Sequence, residues 1–132
     1  MNNILGFTGT QEGMTHDQRM IFVDAILYFN PVQFRHGDCV GADKEAHDIV
    51  RAMLPDCNIV VHPPIKGDKR AFCNADIVLA TREYLDRNRD IVDCCDILIA
   101  APKSAKEELR SGTWATVRYA KKSCKPVKLI LR

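Results

Sequence analysis

No apolar run in this 132-residue sequence approaches the roughly 20 residues of a membrane span, which excludes a transmembrane helix. The opening, Met1-Asn2-Asn3-Ile4-Leu5-Gly6, lacks the basic and then apolar pattern of a secretory leader. Charge of one sign is lacking too. Nineteen Lys and Arg against seventeen Asp and Glu leave +2, too little for a dedicated nucleic-acid surface. The one local cluster, Lys121, Lys122, Lys125 and Lys128, reads as a solvated helix end whose cations complement the helix dipole. Six cysteines are present, but Cys39, Cys57, Cys73, Cys94, Cys95 and Cys124 form no C-x-x-C pair. They read as reduced, mostly buried small hydrophobes rather than a disulfide framework or a structural zinc site. Together these absences predict a cytoplasmic protein with no metal, no cofactor, no membrane and no nucleic acid among its partners.

What is present is the composition of an ordinary globular chain, 46% hydrophobic and 27% charged. No linker, repeat or biased segment divides it, so residues 1–132 are expected to form one domain. Short apolar runs alternate with amphipathic ones. Ile4–Thr8 reads as a buried strand stopped at Gly9. Thr15-x-x-Gln18 fits a capping box for a helix carrying Met20, Ile21, Ala25, Ile26 and Phe29, closed by Pro31. Gln33–His36 predicts the second strand, Ala42–Met53 the second helix and Cys57–His62 the third strand, ended by Pro63-Pro64. Residues 63 to about 80 read as a long loop, although Ile77-Val78-Leu79-Ala80 has the makings of a short strand. Thr81 is placed to cap a third helix reaching about Cys94, with Leu85, Ile91 and Val92 facing in. Ile97–Ala101 predicts a fourth strand, a helix then starts at Ser111 or Thr113, and Pro126–Leu131 predicts the fifth.

This alternation predicts an α/β fold, a Rossmann-like three-layer sandwich around a five-stranded parallel sheet of order 3-2-1-4-5. Ligands of such sheets bind beyond the carboxyl ends of the strands, at the point where the order reverses. Three loops therefore come forward: Thr8–Thr15, Gly37–Asp43 and Ala101–Trp114. The first holds Thr8-Gly9-Thr10, a glycine turn that lets backbone N–H groups approach a phosphate, without a G-x-G-x-x-G fingerprint or a Walker lysine. The second holds Gly37 and Gly41 four apart, then Ala42 and Asp43, with His47 one helical turn beyond Asp43. A structural Asp43–His47 hydrogen bond is the expectation there. The third ends in Ser111-Gly112-Thr113-Trp114, two hydroxyls and free N–H groups at a helix start, with Trp114 available either to a base or to the core. Asn88 falls on an inward helix face, where it must be hydrogen-bonded, and Arg87 beside it has either an anionic ligand or a surface ion pair to meet.

The early Gly-x-Thr-Gly, the stretch His36-Gly37-x-x-x-Gly41-Ala42-Asp43-x-x-Ala46-His47, and Arg87-Asn88 leading to Ser111-Gly112-Thr113-Trp114 together resemble the SLOG superfamily. That group contains the Lonely Guy phosphoribohydrolases and the fold of the DNA-processing protein DprA. Gly37, Gly41, Asp43, Ala46 and His47 match the DprA pattern S-G-x-A-x-G-I-D-x-x-A-H, and Gly112 and Thr113 match the Lonely Guy signature P-G-G-x-G-T-x-x-E. The glutamate of that signature is missing, since Thr116 stands three past Thr113. The resemblance therefore implies nucleotide binding more than hydrolysis. The expected function is to bind a nucleotide or nucleotide-derived ligand as sensor, carrier or sequestering protein. Thr8, Gly9, Thr10, Ser111, Gly112 and Thr113 would hold the phosphate. Gly37, Gly41, Ala42 and Asp43 would line the ribose side, with Arg87, Asn88 and Trp114 nearby. One alternative is a nucleoside 5′-monophosphate N-glycosidase using Glu108 or Asp43 as its carboxylate. The other is a DprA-like module on single-stranded DNA. Self-association common in the superfamily implies a homo-oligomer, for which Phe22, Tyr28 and Phe29 offer aromatic surface.

Overall fold

Ile4–Gly9 (β1) is the hub of the computed structural model, which describes residues 3–132. On one side it pairs with Gln33–His36 (β2), and on the other with Ile97–Ala101 (β5), both parallel. Beyond β2 lie Asn58–Val61 (β3) and Ile77–Val78 (β4), and beyond β5 lies Val127–Leu129 (β6). The sheet is therefore six-stranded in the order β4-β3-β2-β1-β5-β6, with every pairing parallel. Five strands follow the order expected from the sequence, and the sixth corrects the reading of residues 63–80 as loop throughout. It is only two residues long, exposed, and at an edge, so it has no periodicity to read. A side chain helps to fix its register: Asp76 accepts the Ile59 N–H at 2.7 Å and an Arg51 N–H at 2.9 Å.

His16–Phe29 (α1) and Ala42–Met53 (α2) pack on one face, and Tyr84–Cys94 (α3) and Gly112–Lys122 (α4) on the other. Strand side chains alternate between the faces. Leu5, Phe7 and Ile99 join Phe22, Ile26 and Phe34 in the larger core, while Leu98 meets Ile91, Val92 and Ala120 opposite. Phe7, Phe22 and Phe34 form a mutually packed aromatic trio, with Phe7 edge-on to Phe22 at 5.3 Å. Phe22 is therefore core, whereas Tyr28 stands in solvent. No described helix is long and apolar enough to cross a membrane.

Two of the helices, α1 and α4, start at a side-chain cap. Thr15 and Gln18 form the reciprocal capping box, and Ser111 Oγ accepts the Trp114 N–H to start α4. α3 begins at Tyr84 after Glu83, with no side-chain cap. Thr81 therefore does not start it, and Leu85, expected inside, is exposed. Thr81 lies on the path from β4 to α3, where Pro64 and Arg82 form a bridge, so the chain is held extended there.

Gly41 precedes α2 at φ +86°, and an added Cβ would overlap the Gln11 backbone carbonyl. Gly41→Ala is expected to cost about 2 kcal/mol through backbone strain and this overlap. The check is a lower urea midpoint at unchanged m-value, and a midpoint equal to wild type would show that the two loops part freely.

Candidate functional site

The strand order reverses between β1 and β5, and there a cleft of about 700 Å³ opens at the carboxyl edge of the sheet. Its walls come from three places. Gly9-Thr10-Gln11-Glu12 follows β1, Lys103 and Glu108 to Thr113 lie between β5 and the first turn of α4, and Tyr84 opens α3. The backbone holds these segments together. Thr10 N–H bonds to Ala101 carbonyl at 3.0 Å, and Ala42 N–H to Thr10 carbonyl at 2.9 Å.

The α4 end of the cleft is suited to an anion. Helix geometry leaves the N–H groups of Gly112 and Thr113 without intrahelical partners, and the helix dipole favours negative charge there. Lys103 and Arg110 add two cations on the cleft wall. Lys103 is paired with Glu12 at 3.2 Å across exposed surface, a contact a ligand anion can replace. Arg118 fixes the loop before α4, donating to Glu107 at 2.7 Å and to the Leu109 carbonyl at 3.1 Å. Glu108 Oε1 is buried on this wall without a hydrogen-bond partner. Tyr84 faces Gly112 so closely that an added Cβ would stand 3.0 Å from its Cε1, and the Arg87 guanidinium lies 4.4 Å from the ring centroid.

Of the residues expected to bind a ligand, Gly9, Thr10, Ser111, Gly112 and Thr113 line this cleft, as does the carboxylate candidate Glu108. The others do not, and packing explains each. Thr8 is a buried strand residue in register with Ala100. Gly37 gives room to the Arg87 guanidinium, since a Cβ there would overlap it. Gly41 makes room for Gln11, and Ala42 sits against Gly9, where a Cβ would approach to 2.5 Å. Even Gly9 is thus required by the β1–α2 contact before any phosphate is considered.

Arg87 is neither a surface ion pair nor a cleft residue. It is buried, donating to the carbonyls of Gly37 and His62 and to Cys39 Sγ at 3.1 Å. Asn88 borders a separate groove between α3 and α4. Trp114 is buried beside Ala100 and Val117, so the indole belongs to the core rather than to a base. Asp43 is buried and accepts the Cys39 N–H at 3.2 Å. Burial pushes its carboxyl up to about 6, against the pull of Arg87 and the backbone donors. It does not bond His47, whose partner is His36 at 2.9 Å.

The sequence reading passed over Tyr84, Lys103 and Arg110. The two cations lie inside the third expected loop, so the reversal rule already covered them. Nothing local marks Tyr84, because the turn of chain that brings it to the cleft is tertiary.

No protein-family model matches this sequence, and neither does any curated protein sequence. Solved structures do. The molybdenum cofactor binding protein from the phototrophic bacterium Rippkaea orientalis is 21% identical, with a TM-score of 0.76 over 100% of this chain and 78% of that one. The Moco carrier protein from Chlamydomonas reinhardtii is 18% identical, with a TM-score of 0.73 over 100% and 78%. TM1055 is 12% identical, with a TM-score of 0.67 over 95% and 72%. At these identities the likeness is one of architecture: the chain has the Rossmann-like α/β fold of these proteins.

Proposed function

We propose that this chain is a small-molecule binding protein of SLOG type that holds a nucleotide-derived, phosphate-bearing ligand in the cleft between β1 and β5. One observation carries the reading. A cleft of about 700 Å³ coincides with the reversal of strand order and is faced by the N-terminus of α4, with Lys103 and Arg110 beside it. The fold neighbours described as molybdenum cofactor binding and carrier proteins support a ligand of that class and a carrier's role. The carboxylates support holding more than cleaving: Asp43 is away from the cleft, and of the two on its wall Glu12 is paired with Lys103, which leaves Glu108.

The test is a thermal-shift series with GMP, AMP and the molybdenum cofactor, each mixture then examined by mass spectrometry. A ligand at a hundred times its Kd adds about 2.7 kcal/mol, a rise of roughly 10 °C for a chain of this size. Lys103→Ala and Arg110→Ala change exposed side chains, so the fold should stand while Kd rises about 10–100-fold for each charge-assisted bond lost. Released base, abolished by Glu108→Gln, would make the protein an N-glycosidase. No shift with any of the three would overturn the reading.

A further inference from the structure

His36 at the end of β2, His47 on α2 and Cys73 in the loop before β4 take no part in the cleft, yet their side chains converge. One nitrogen of each ring and Cys73 Sγ lie within 4.8 Å of one another. Both histidines are buried and the thiol is half-buried. A second cavity, of about 340 Å³ and lined by His47 and Cys73, gives access from solvent. Asp38 holds two of the three in place. Its N–H donates to His36 Nδ1 at 2.9 Å, and its buried carboxylate accepts the Cys73 N–H at 2.9 Å and Arg70 Nε–H at 2.8 Å. Asp38 itself adopts φ +57°, so the backbone accepts strain to make these contacts.

The hydrogen bonds decide which atoms can ligate. Because His36 Nδ1 accepts from the backbone, its proton is on Nε2, which donates to His47 Nδ1 at 2.9 Å. His47 Nδ1 therefore directs its lone pair into the group, and Asn74 lines the cavity beside it. His36 offers an N–H rather than a lone pair. One imidazole nitrogen and one sulfur remain as ligands.

We propose that His47 and Cys73 form a site for a soft monovalent cation, Cu(I) by its chemistry, with His36 Nε2–H turning to the metal-bound thiolate. A thiolate with an imidazole selects soft ions, and Cu(I) is content with few ligands. Structural Zn(II) needs four, and among the described residues this group supplies two lone-pair donors. As the S–Cu bond forms, the Cys73 thiol proton leaves to solvent, and copper keeps its oxidation state throughout.

The test uses the full chain carrying Cys94→Ser and Cys124→Ser, which removes the two exposed thiols. Anaerobic titration of Cu(I) against bicinchoninate should show one ion held per chain, with one sulfur and one nitrogen in its X-ray absorption shell. Adding Cys73→Ser, a loop change that leaves the circular dichroism intact, should weaken binding more than about 100-fold, since a ligand outweighs an outer-shell partner. His47→Gln should do the same. Unchanged affinity in Cys73→Ser, a shell of sulfur alone, no copper retained, or Zn(II) held more tightly than Cu(I) would each overturn the assignment.

Discussion

Replacing Arg87 with alanine is expected to destabilise the fold by about 3–5 kcal/mol, the usual cost of breaking a buried charged network, and to lower Tm by roughly 10–20 °C. The guanidinium is 3% exposed and ties α3 to the carboxyl ends of β2 and β3. It donates to the Gly37 carbonyl after β2 and the His62 carbonyl after β3, and it reaches Cys39 at the start of the α2 loop. It also lies over the Tyr84 ring at the cleft, and its charge pulls the Asp43 carboxyl pKa down against burial. Truncation would leave two carbonyls unpaired and a buried carboxylate without its cation. Arg87→Lys should recover little, because an ammonium cannot reproduce the planar fork. Urea unfolding decides the matter. A loss under about 1 kcal/mol, with ligand binding abolished instead, would return Arg87 to the ligand role that sequence reading considered.

The same residue shows where sequence reading stops. Periodicity and caps placed α2 at Ala42–Met53 and identified the Thr15–Gln18 box, because helix ends are decided within a few residues. The sheet order followed from alternation and handedness. The glycines were legible as necessary but not as to what they make room for. The resemblance gives Gly9 to a phosphate and Gly37 and Gly41 to the ribose side, and each makes room for another part of the chain: Ala42, Arg87 and Gln11. Both explanations predict the same residue at the same loop position, so only the tertiary neighbour separates them. Trp114 illustrates the same limit, since its place in the sequence allows either a base or the core, and the packing of α4 on β5 chooses the core. β4 was missed because two exposed edge residues have no pattern, and its register depends on Asp76, a side chain outside the strand. Asp38, which anchors residues 70–73, had no local signal at all.

Acidification from pH 7 to pH 5 is expected to lower stability, chiefly through buried histidines. Burial first, and Arg35 next, lower the His62 pKa to about 4, and its Nε2 is 3.0 Å from Arg35 Nη1, a contact that requires the neutral ring. His36 and His47 are lowered as well, burial again being the main cause. The unfolded chain takes up these protons near pH 6.5 while the folded chain does not. Their contribution is therefore complete above about 6.5 and is lost as pH falls from there toward the folded values, for His62 at about 1.4 kcal/mol per pH unit. For His62 that amounts to about 2 kcal/mol at pH 5. Asp43 works in the opposite direction. Its folded pKa is raised to about 6, so it favours the folded state fully below the ordinary carboxylate range and loses that contribution as pH rises through 6. The stability curve should thus fall steeply just below pH 6.5 and less steeply below 6, where Asp43 offsets one ring. Urea unfolding at pH 7, 6 and 5 reads this directly. His62→Gln should flatten the curve by about one proton. Asp43→Asn should stabilise the protein at pH 7 by up to about 3 kcal/mol, because the neutral amide avoids burying a charge, and should steepen the fall below pH 6. Equal stability at all three pH values would show that the rings are hydrated and that the interior around β2 and β3 is open to water.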